Sequence, residues 1–434
     1  MKKLIICAGG DALMVTPLPP HYTGREIIRP YLRSADFSAV NLEAVLSDYT
    51  CFPGAASGGT WVNATPDIFP QLHSFGFDLY GCANNHALDY SYGGLASTCR
   101  ILEQANVPFC GIGESLEKAD APAICEKNGK KLGVMAVTTT FHDDWRAGRE
   151  CEDLPSRPGV SFLRHTTIFT VTQTQFDVLD TIAKNATING SRPLNVAAGF
   201  ESPDPPGMLT FGKELFLVGE EEKRETFCHP GDLNRILDGV KKASKQLDGL
   251  IVLAHSHEVK REAYHEPADF FVEFCHAVLD AGALAVIGGG THQLKPIEMY
   301  HGKPIFYSLG DFIFQNSSVR ILPPDFKEKY GLSPRATTQE AYAARSRNGT
   351  IGLHTDPLHY RSVLPRLTFE NNHLVKAELL PIELGFDQED DIKGLPFAAK
   401  GETVQSILEQ LKTLSAPFGT RFDLKPNGIM EIIL

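Results

Sequence analysis

Short apolar runs and segments with helical periodicity alternate along most of the chain. Runs rich in β-branched residues, such as Leu4–Ala8 and Gly249–Ala254, predict buried strands. Between such runs, Gly93–Asn106 and Leu233–Gln246 carry apolar residues at the spacing of an amphipathic helix. Alternation of strands and helices is typical of an α/β protein, which is the fold class that we predict.

The late stretch around residues 284–314 contains two apolar runs, and we predict one buried strand for each. The first run, Leu284–Ile287, ends in Gly288–Gly290, and Thr291-His292 follow; the second run is Pro304–Phe314. Glycines at the carboxyl end of a strand let the backbone approach a ligand closely, although a simple tight turn would show the same pattern.

Residues 141–231 lack the regular alternation of apolar runs and helical segments, because prolines interrupt them often. We predict an insertion at about 141–231 that shapes a substrate pocket, and a passive cap or a dimer contact fits the pattern equally well. The main domain is expected to span 1–320. Residues 321–434 are expected to complete the same domain with a loop, a β-hairpin and a helix, and 325–356 are interpreted as loop.

Composition narrows the classes of partner. The net charge of −12 argues against nucleic acid and anionic membranes, which require clustered lysine and arginine. No apolar run approaches the roughly 20 residues of a membrane helix, so no membrane insertion is expected. The nine cysteines are scattered and form no CxxC pair, which favours buried thiols in a reducing compartment. We therefore predict a cytoplasmic protein whose first apolar run is a strand and not a secretory signal.

Polar residues suited to metal binding or proton transfer follow five of the predicted strands. A lone histidine is more often structural than functional, but five strand ends of this kind indicate a site. Imidazole, carboxylate and amide oxygen together suit divalent ions such as Mn, Fe or Zn. The residues at these strand ends are Asp11, Glu43, Asn85 with His86, His255 with His257, and His292.

Four blocks of sequence together resemble one known family. They are NLEAVL at 41–46, ANNHALDYSYGGL at 83–95, GIGES at 111–115 and DAGALAVIGGGTHQLKPIEMYHGKPIFYSLGDFIF at 280–314. They resemble the CapA family, named for capsular poly-γ-glutamate synthesis, within the calcineurin-like metallophosphatase superfamily. The resemblance implies a metallophosphatase-like α/β sandwich, with two central mixed sheets flanked by helices and a metal site at the strand ends.

The resemblance also implies a role for each matching residue. Asp11 matches the family's first aspartate, Glu43 the bridging carboxylate of the superfamily, and Asn85 its amide ligand. His86 matches a histidine that assists catalysis, His255 a metal-ligand histidine, and His292 the last histidine of the GHHPH block.

The chain departs from the family pattern at several ligand positions. Leu13 stands where a two-metal phosphatase has a histidine, which the CapA family in general also lacks, and Gly290 replaces a histidine of GHHPH. The HWGxE block has become His255-Ser256-His257 with Val259 in place of its glutamate, and SLGNF has become SLGDF at Asp311.

We therefore predict one divalent ion (Mn, Fe, Zn, Mg or Ca) in preference to two. Its predicted ligands are Glu43, Asn85, His255 and His257. Asp11 and His292 would then be free to face each other across a substrate as a proton-transfer pair, with His86 assisting.

The function expected from these residues is a CapA-like metal-dependent enzyme that uses acid/base catalysis on a peptide or polyglutamate-like substrate. Epimerisation at Cα and amide-bond chemistry such as hydrolysis both fit this machinery. Two alternatives remain open, a two-metal phosphoester hydrolase and a non-catalytic scaffold of a capsule or peptide biosynthesis system.

Overall fold

Two mixed β-sheets pack face to face, and helices cover their outer faces. The computed structural model describes residues 3–261 and 263–434. The larger sheet has ten strands and the smaller one has six. This arrangement confirms the predicted α/β sandwich of the metallophosphatase type.

The ten-stranded first sheet contains the amino-terminal strand and the carboxy-terminal part of the chain. Lys3–Leu13 runs parallel to Phe37–Leu42, which runs parallel to Leu79–Gly81, so the carboxyl ends of these three strands lie at one edge. In spatial order the strands are Phe422–Leu424, Met430–Ile432, His373–Glu383, Arg361–Glu370, Lys3–Leu13, Phe37–Leu42, Leu79–Gly81 and Phe109–Cys110, with Asp311–Phe314 paired to Lys3–Leu13 and Phe397–Ala398 paired to His373–Glu383.

The six-stranded second sheet also has a parallel centre. Gly249–Ser256 pairs in parallel with Ala285–Gly290 on one side and with Lys130–Thr138 on the other. In spatial order the strands are Ile297–Tyr300, Lys303–Phe306, Ala285–Gly290, Gly249–Ser256, Lys130–Thr138 and Ala123–Lys127.

Side chains on the two faces of the second sheet belong to two different apolar cores. In Gly249–Ser256, Ile251 and Leu253 point into the core between the sheets. Val252 and Ala254 point the other way, into a second core that includes the phenylalanines of the helix Asp269–Asp280. Because successive side chains of a strand face opposite sides, a continuous apolar run is what a sheet buried on both faces requires.

The helices cover both sheets, and within the described residues none is long and apolar enough to span a bilayer. Glu402–Ser415 places Leu408 and Leu411 in the core between the sheets. The helices are Arg25–Arg33, Ile68–His73, Ser91–Gln104, Leu116–Asp120, Gln173–Asn185, Arg192–Ala197, Pro230–Ser244, Asp269–Asp280, Pro324–Lys329, Thr338–Arg345 and Glu402–Ser415, and two short strand pairs, Val45–Leu46 with Asn63–Ala64 and Ile112–Gly113 with Gly159–Val160, complete the regular structure.

The predicted insertion forms a small sheet of its own. It packs on the helix Asp269–Asp280, where the Phe270 amide donates to Thr226 Oγ1 at 3.1 Å and the Cys228 amide donates to Glu273 Oε2 at 3.2 Å. Its role in shaping a pocket stays a prediction. The strands in spatial order are Met208–Phe211, Glu214–Val218, His165–Val171 and Lys223–Cys228.

Two predicted elements are wrong. Pro304–Phe314 is not one strand, since Lys303–Phe306 belongs to the second sheet and Asp311–Phe314 to the first. Gly310, with φ +71°, redirects the chain between them. The expected loop at 325–356 holds helical turns, including Thr338–Arg345, which begins with a capping box between Thr337 and Glu340.

The close approach of Gly10 to the Gly310 turn generates a stability prediction. A Cβ at Gly10 would lie 2.9 Å from the Gly310 carbonyl carbon and closer still to its oxygen. We expect Gly10→Ala to lower the free energy of unfolding by about 1–3 kcal/mol, measured by urea denaturation. Gly93→Ala is the control, because Gly93 lies in a helix and its added methyl group would meet only Cys51. Equal midpoints for the two variants would contradict the close contact.

Candidate metal centre

The polar strand ends of both sheets meet at one edge of the sandwich. Asp11 lies near the end of Lys3–Leu13, and Glu43 follows the neighbouring strand directly. His255 lies near the end of the central strand of the second sheet, and its imidazole faces Asp11 and Glu43. Parallel pairing places these strand ends together, so residues far apart in sequence share a buried site.

Glu43 is the least compensated group of the site. It is fully buried, and neither carboxylate oxygen has a hydrogen-bond partner. His255 Nε2 lies 3.4 Å from Glu43 Oε1. Burial raises the pKa of the Glu43 carboxyl well above its usual range, and the Asp11 and Asp311 carboxylates add to the rise. A buried carboxylate of this kind requires a cation, so the site fits a metal ion.

His255 Nε2 lies close to the other three predicted ligands. Its distances are 2.7 Å to Asn85 Oδ1, 3.2 Å to His257 Nε2 and 3.4 Å to Glu43 Oε1. Ligand atoms that share an ion at about 2.1 Å are themselves separated by roughly 3.0–3.4 Å. Two of the three distances fall in this range, but the ligand atoms that all lie within 4.8 Å of one another join Glu43 and His257 with His292 and not with His255. We call Glu43, Asn85, His255 and His257 the metal centre, and their joint binding of one ion stays a prediction.

Three buried histidines of the site each meet a buried aspartate through Nδ1. The Nδ1–carboxylate distances are 2.6 Å for His86 with Asp89, 2.9 Å for His292 with Asp311 and 3.4 Å for His255 with Asp11. Such partners fix the orientation and tautomer of an imidazole and leave Nε2 for a ligand or a proton.

Asp11 is held from several sides. Its Oδ1 accepts from Asn41 Nδ2 at 2.6 Å and its Oδ2 from the Gly290 amide at 2.7 Å. Burial would raise its pKa, but the neighbouring His255 outweighs that effect and the pKa is lowered. A Cβ at Gly289 would collide with this carboxylate, so the close packing of Asp11 requires glycine at this position. Gly290 has φ +113°, so a side chain at this position would be strained.

His292 lies beside the metal centre. Its ring centroid is 5.5 Å from that of His257, and ligand atoms of Glu43, His257 and His292 all lie within 4.8 Å of one another. Burial lowers the pKa of His292, but the Asp311 carboxylate outweighs burial and the pKa is raised. Burial also raises the pKa of Asp311, to about 6.

Asp11 and His292 lie close together, since ligand atoms of Asp11, Glu43, His292 and Asp311 all lie within 4.8 Å of one another. Their placement across a substrate stays a prediction. Their individual roles in proton transfer stay predictions.

His86 is joined through Asp89 to the loop at residues 50–62. Its partner Asp89 accepts from the amides of Gly58 at 3.0 Å and Val62 at 2.7 Å. Asn85 Nδ2 donates to the Gly58 carbonyl at 3.0 Å, and this orients Asn85 Oδ1 toward His255. The loop thus packs directly on the Asn85–Asp89 segment.

Three supporting residues had no assigned role in the sequence. Asp311 was noted as a departure from the family, but only the fold shows that it pairs with His292. Asn41 Nδ2 lies 2.6 Å from Asp11 Oδ1 and 3.2 Å from His255 Nδ1. Asp89 holds the loop at residues 50–62 through the Gly58 amide. The i,i+3 spacing of His86 and Asp89 is the one sequence signal that could have identified a pair in advance.

A model of a known protein family matches most of the chain. The family described as bacterial capsule synthesis protein PGA_cap matches residues 7–316. The chain belongs to this family. The match includes every predicted ligand and confirms the CapA resemblance.

Several relatives extend the similarity to most of the PGA_cap chain. The protein y4sH of Sinorhizobium fredii is 31% identical over 98% of this chain and 92% of its own. The PGA biosynthesis protein CapA of Bacillus subtilis is 23% identical over 85% of this chain and 77% of its own. The capsule biosynthesis protein CapA of Bacillus anthracis is 21% identical over 74% of this chain and 62% of its own.

The isolated charge of Glu43 generates a prediction about metal-free protein. Glu43→Gln removes a carboxylate that Asp11 and Asp311 repel, so the melting temperature in EDTA should rise by on the order of 2 °C or more. Added Mn²⁺ or Zn²⁺ should stabilise the wild type and leave the variant unchanged. Glu126→Gln, at an exposed residue paired with Lys131, is the control and should alter neither result. A lower melting temperature for Glu43→Gln in EDTA would contradict the charge argument.

Proposed function

We propose that this PGA_cap protein is a metal-dependent enzyme that uses acid/base catalysis on a peptide or polyglutamate-like substrate. The observation that supports the metal is the buried Glu43 carboxylate, whose two oxygens lack hydrogen-bond partners. The substrate class rests on the names of the relatives, which concern capsule and PGA biosynthesis.

The proposed ligands are Glu43, Asn85, His255 and His257. Burial, followed by the charges of His255 and His292, lowers the pKa of His257 well below its usual range, so this imidazole is neutral and suited to bind a cation. Asn41 and Asp11 hold the Nδ1 side of His255. A divalent ion bound there would supply a Lewis acid for a substrate carbonyl.

The proposed proton-transfer group is His292 with Asp311. Because Nδ1 of His292 meets the Asp311 carboxylate, Nε2 is the atom that would give or take a proton. The pairing also holds the ring in place, which is the positioning that acid/base catalysis requires. For Asp11, orientation of His255 is the role that its contacts favour over direct proton transfer.

A two-metal phosphoester hydrolase remains the second candidate, and one observation favours it. Glu43 belongs to two groups of closely spaced ligand atoms, one with His257 and His292 and one with Asp11, His292 and Asp311. A carboxylate between two such groups is suited to bridge two ions. In this case Asp311 would add a ligand where the family pattern has an amide.

Metal stoichiometry distinguishes the two candidates. For protein prepared without chelator, we expect one ion per chain by elemental analysis. His255→Ala should remove most of the bound metal, because His255 Nε2 lies within 3.4 Å of an atom of each of the other three predicted ligands. Asp311→Asn should leave the single ion in place. Two ions in the wild type, with loss of one in Asp311→Asn, would establish the two-metal alternative, and efficient metal-stimulated turnover of p-nitrophenyl phosphate would support it.

The catalytic role of His292 is tested with a γ-linked glutamyl peptide. His292→Gln should lower turnover by about 10²–10⁴-fold, because it removes the proton-transfer group, while bound metal remains. Reaction in D₂O followed by NMR separates the two chemistries, since epimerisation places deuterium at Cα and hydrolysis releases new amino groups without it. His301→Gln, at an exposed histidine, is the control. Loss of metal together with activity in His292→Gln would contradict the acid/base role, and absence of turnover in metal-loaded wild type would favour the scaffold alternative.

A further inference from the structure

Glu258 carries a carboxylate that is enclosed by hydroxyl groups. Ser256 Oγ donates to Glu258 Oε2 at 2.9 Å, and Thr140 Oγ1 donates to Oε1 at 3.0 Å. Thr139 Oγ1 also donates to Oε2. Both oxygens therefore have partners within the protein, in contrast to the oxygens of Glu43. The contacts of this carboxylate are those of a supporting group and not of a metal ligand.

Thr140 connects this carboxylate to the backbone of His257. Its Oγ1 accepts from the His257 amide at 3.0 Å and donates to Glu258. Because a hydroxyl has a single proton, donation to the carboxylate leaves the lone pairs of Oγ1 for the amide. The Glu258 carboxylate thus orients the Thr140 hydroxyl, and the hydroxyl holds the backbone of His257.

A buried lysine holds the backbone of Glu258 itself. Lys295 is fully buried, and its Nζ donates to the Glu258 carbonyl at 3.3 Å. The Lys295 amide donates to the Ser308 carbonyl at 3.1 Å, so the lysine is fixed in turn. Burial lowers the pKa of Lys295 to about 8, and the charge of Glu258 opposes this shift. A buried ammonium group requires a counter-charge, which keeps the lysine and the glutamate together.

His257 needs such support because it lies just beyond the strand Gly249–Ser256. His255 lies within that strand, where pairing with both neighbouring strands fixes its backbone. The Nε2 atoms of the two histidines nevertheless lie 3.2 Å apart, so the backbone of His257 has to be held as firmly as that of His255. Hydrogen bonds with Thr140 and Lys295 take the place of strand pairing for this segment.

We propose that Glu258, together with Thr140 and Lys295, positions His257 for metal binding. This inference rests on the proposed function, in which His257 is a metal ligand, and adds the residues that hold this ligand in place. The three are positioning residues, because they contact the backbone at residues 257 and 258 and not the imidazole of His257. Partners of this kind typically contribute about 10–100-fold to metal affinity.

The proposal is tested by the Kd of Zn²⁺, measured on the full chain by competition with a chromophoric chelator. Thr140→Val removes the hydroxyl and keeps the shape of the side chain, so it should raise the Kd by about 10–100-fold. Glu258→Ala should raise the Kd in the same range. Thr140→Ser keeps the hydroxyl and should restore the wild-type Kd. Thr226→Val is the matched control and should leave the Kd unchanged, because it also removes a buried hydroxyl that accepts a backbone amide, that of Phe270.

The same change in a His257→Ala background distinguishes positioning of this ligand from a general loss of structure. If Thr140 acts through His257, Thr140→Val should add little to the loss of affinity that His257→Ala already causes. Additive losses, an unchanged Kd in Thr140→Val or in Glu258→Ala, or failure of Thr140→Ser to restore binding would overturn the proposal.

Zn²⁺ binding also separates failure of this proposal from failure of the proposed function. An unchanged Kd in Thr140→Val, with Zn²⁺ lost in His255→Ala, would defeat the positioning role alone. Zn²⁺ binding that depends on the Thr140 hydroxyl, in a protein without turnover, would support the positioning role and defeat the enzymatic function alone. Absence of Zn²⁺ binding by the wild type would overturn both.

Discussion

The burial of Glu43 without a hydrogen-bond donor is the constraint on which the site depends. A charge in this position is costly, and the fold surrounds it with further carboxylates instead of with cationic side chains. The arrangement is stable only if a cation completes it or if a proton neutralises it. Natural proteins accept such a cost mainly at functional sites, because a core without function would place an apolar side chain there.

The architecture explains why this one residue can recruit ligands from so many parts of the chain. Two sheets with parallel centres bring five strand ends to one edge, and helices on the outer faces leave this edge to loops. The glycine run at 288–290 then allows backbone, and not side chains, to close around Asp11. Gly290, which stands where the CapA resemblance implies a histidine, instead donates its backbone amide to Asp11.

Much of this could be predicted from the sequence, because strands buried on both faces are long apolar runs and the ligands lie directly after them. The ends of Lys3–Leu13 and Gly249–Ser256 are examples. What the sequence could not provide is contact between distant strands. Asp311 looked like part of one strand with Pro304, although a turn sends it into the other sheet beside His292. The helix Thr338–Arg345 was not predicted, because a short capped helix with few apolar residues has no strong hydrophobic periodicity.

The number of ions determines the role of His292. One divalent ion held by Glu43, Asn85, His255 and His257 would leave Nε2 of His292 free, so that the imidazole held by Asp311 could give or take a proton. A second ion near Asp11, Glu43, His292 and Asp311 would engage the same imidazole as a ligand. His292 can therefore serve as a proton-transfer group in the one-ion site and as a ligand in the two-ion site, but not as both at once. The ion count and the acid/base role are thus one physical question, and the aspartate at position 311 supports either answer, as the partner of an imidazolium or as an additional oxygen ligand.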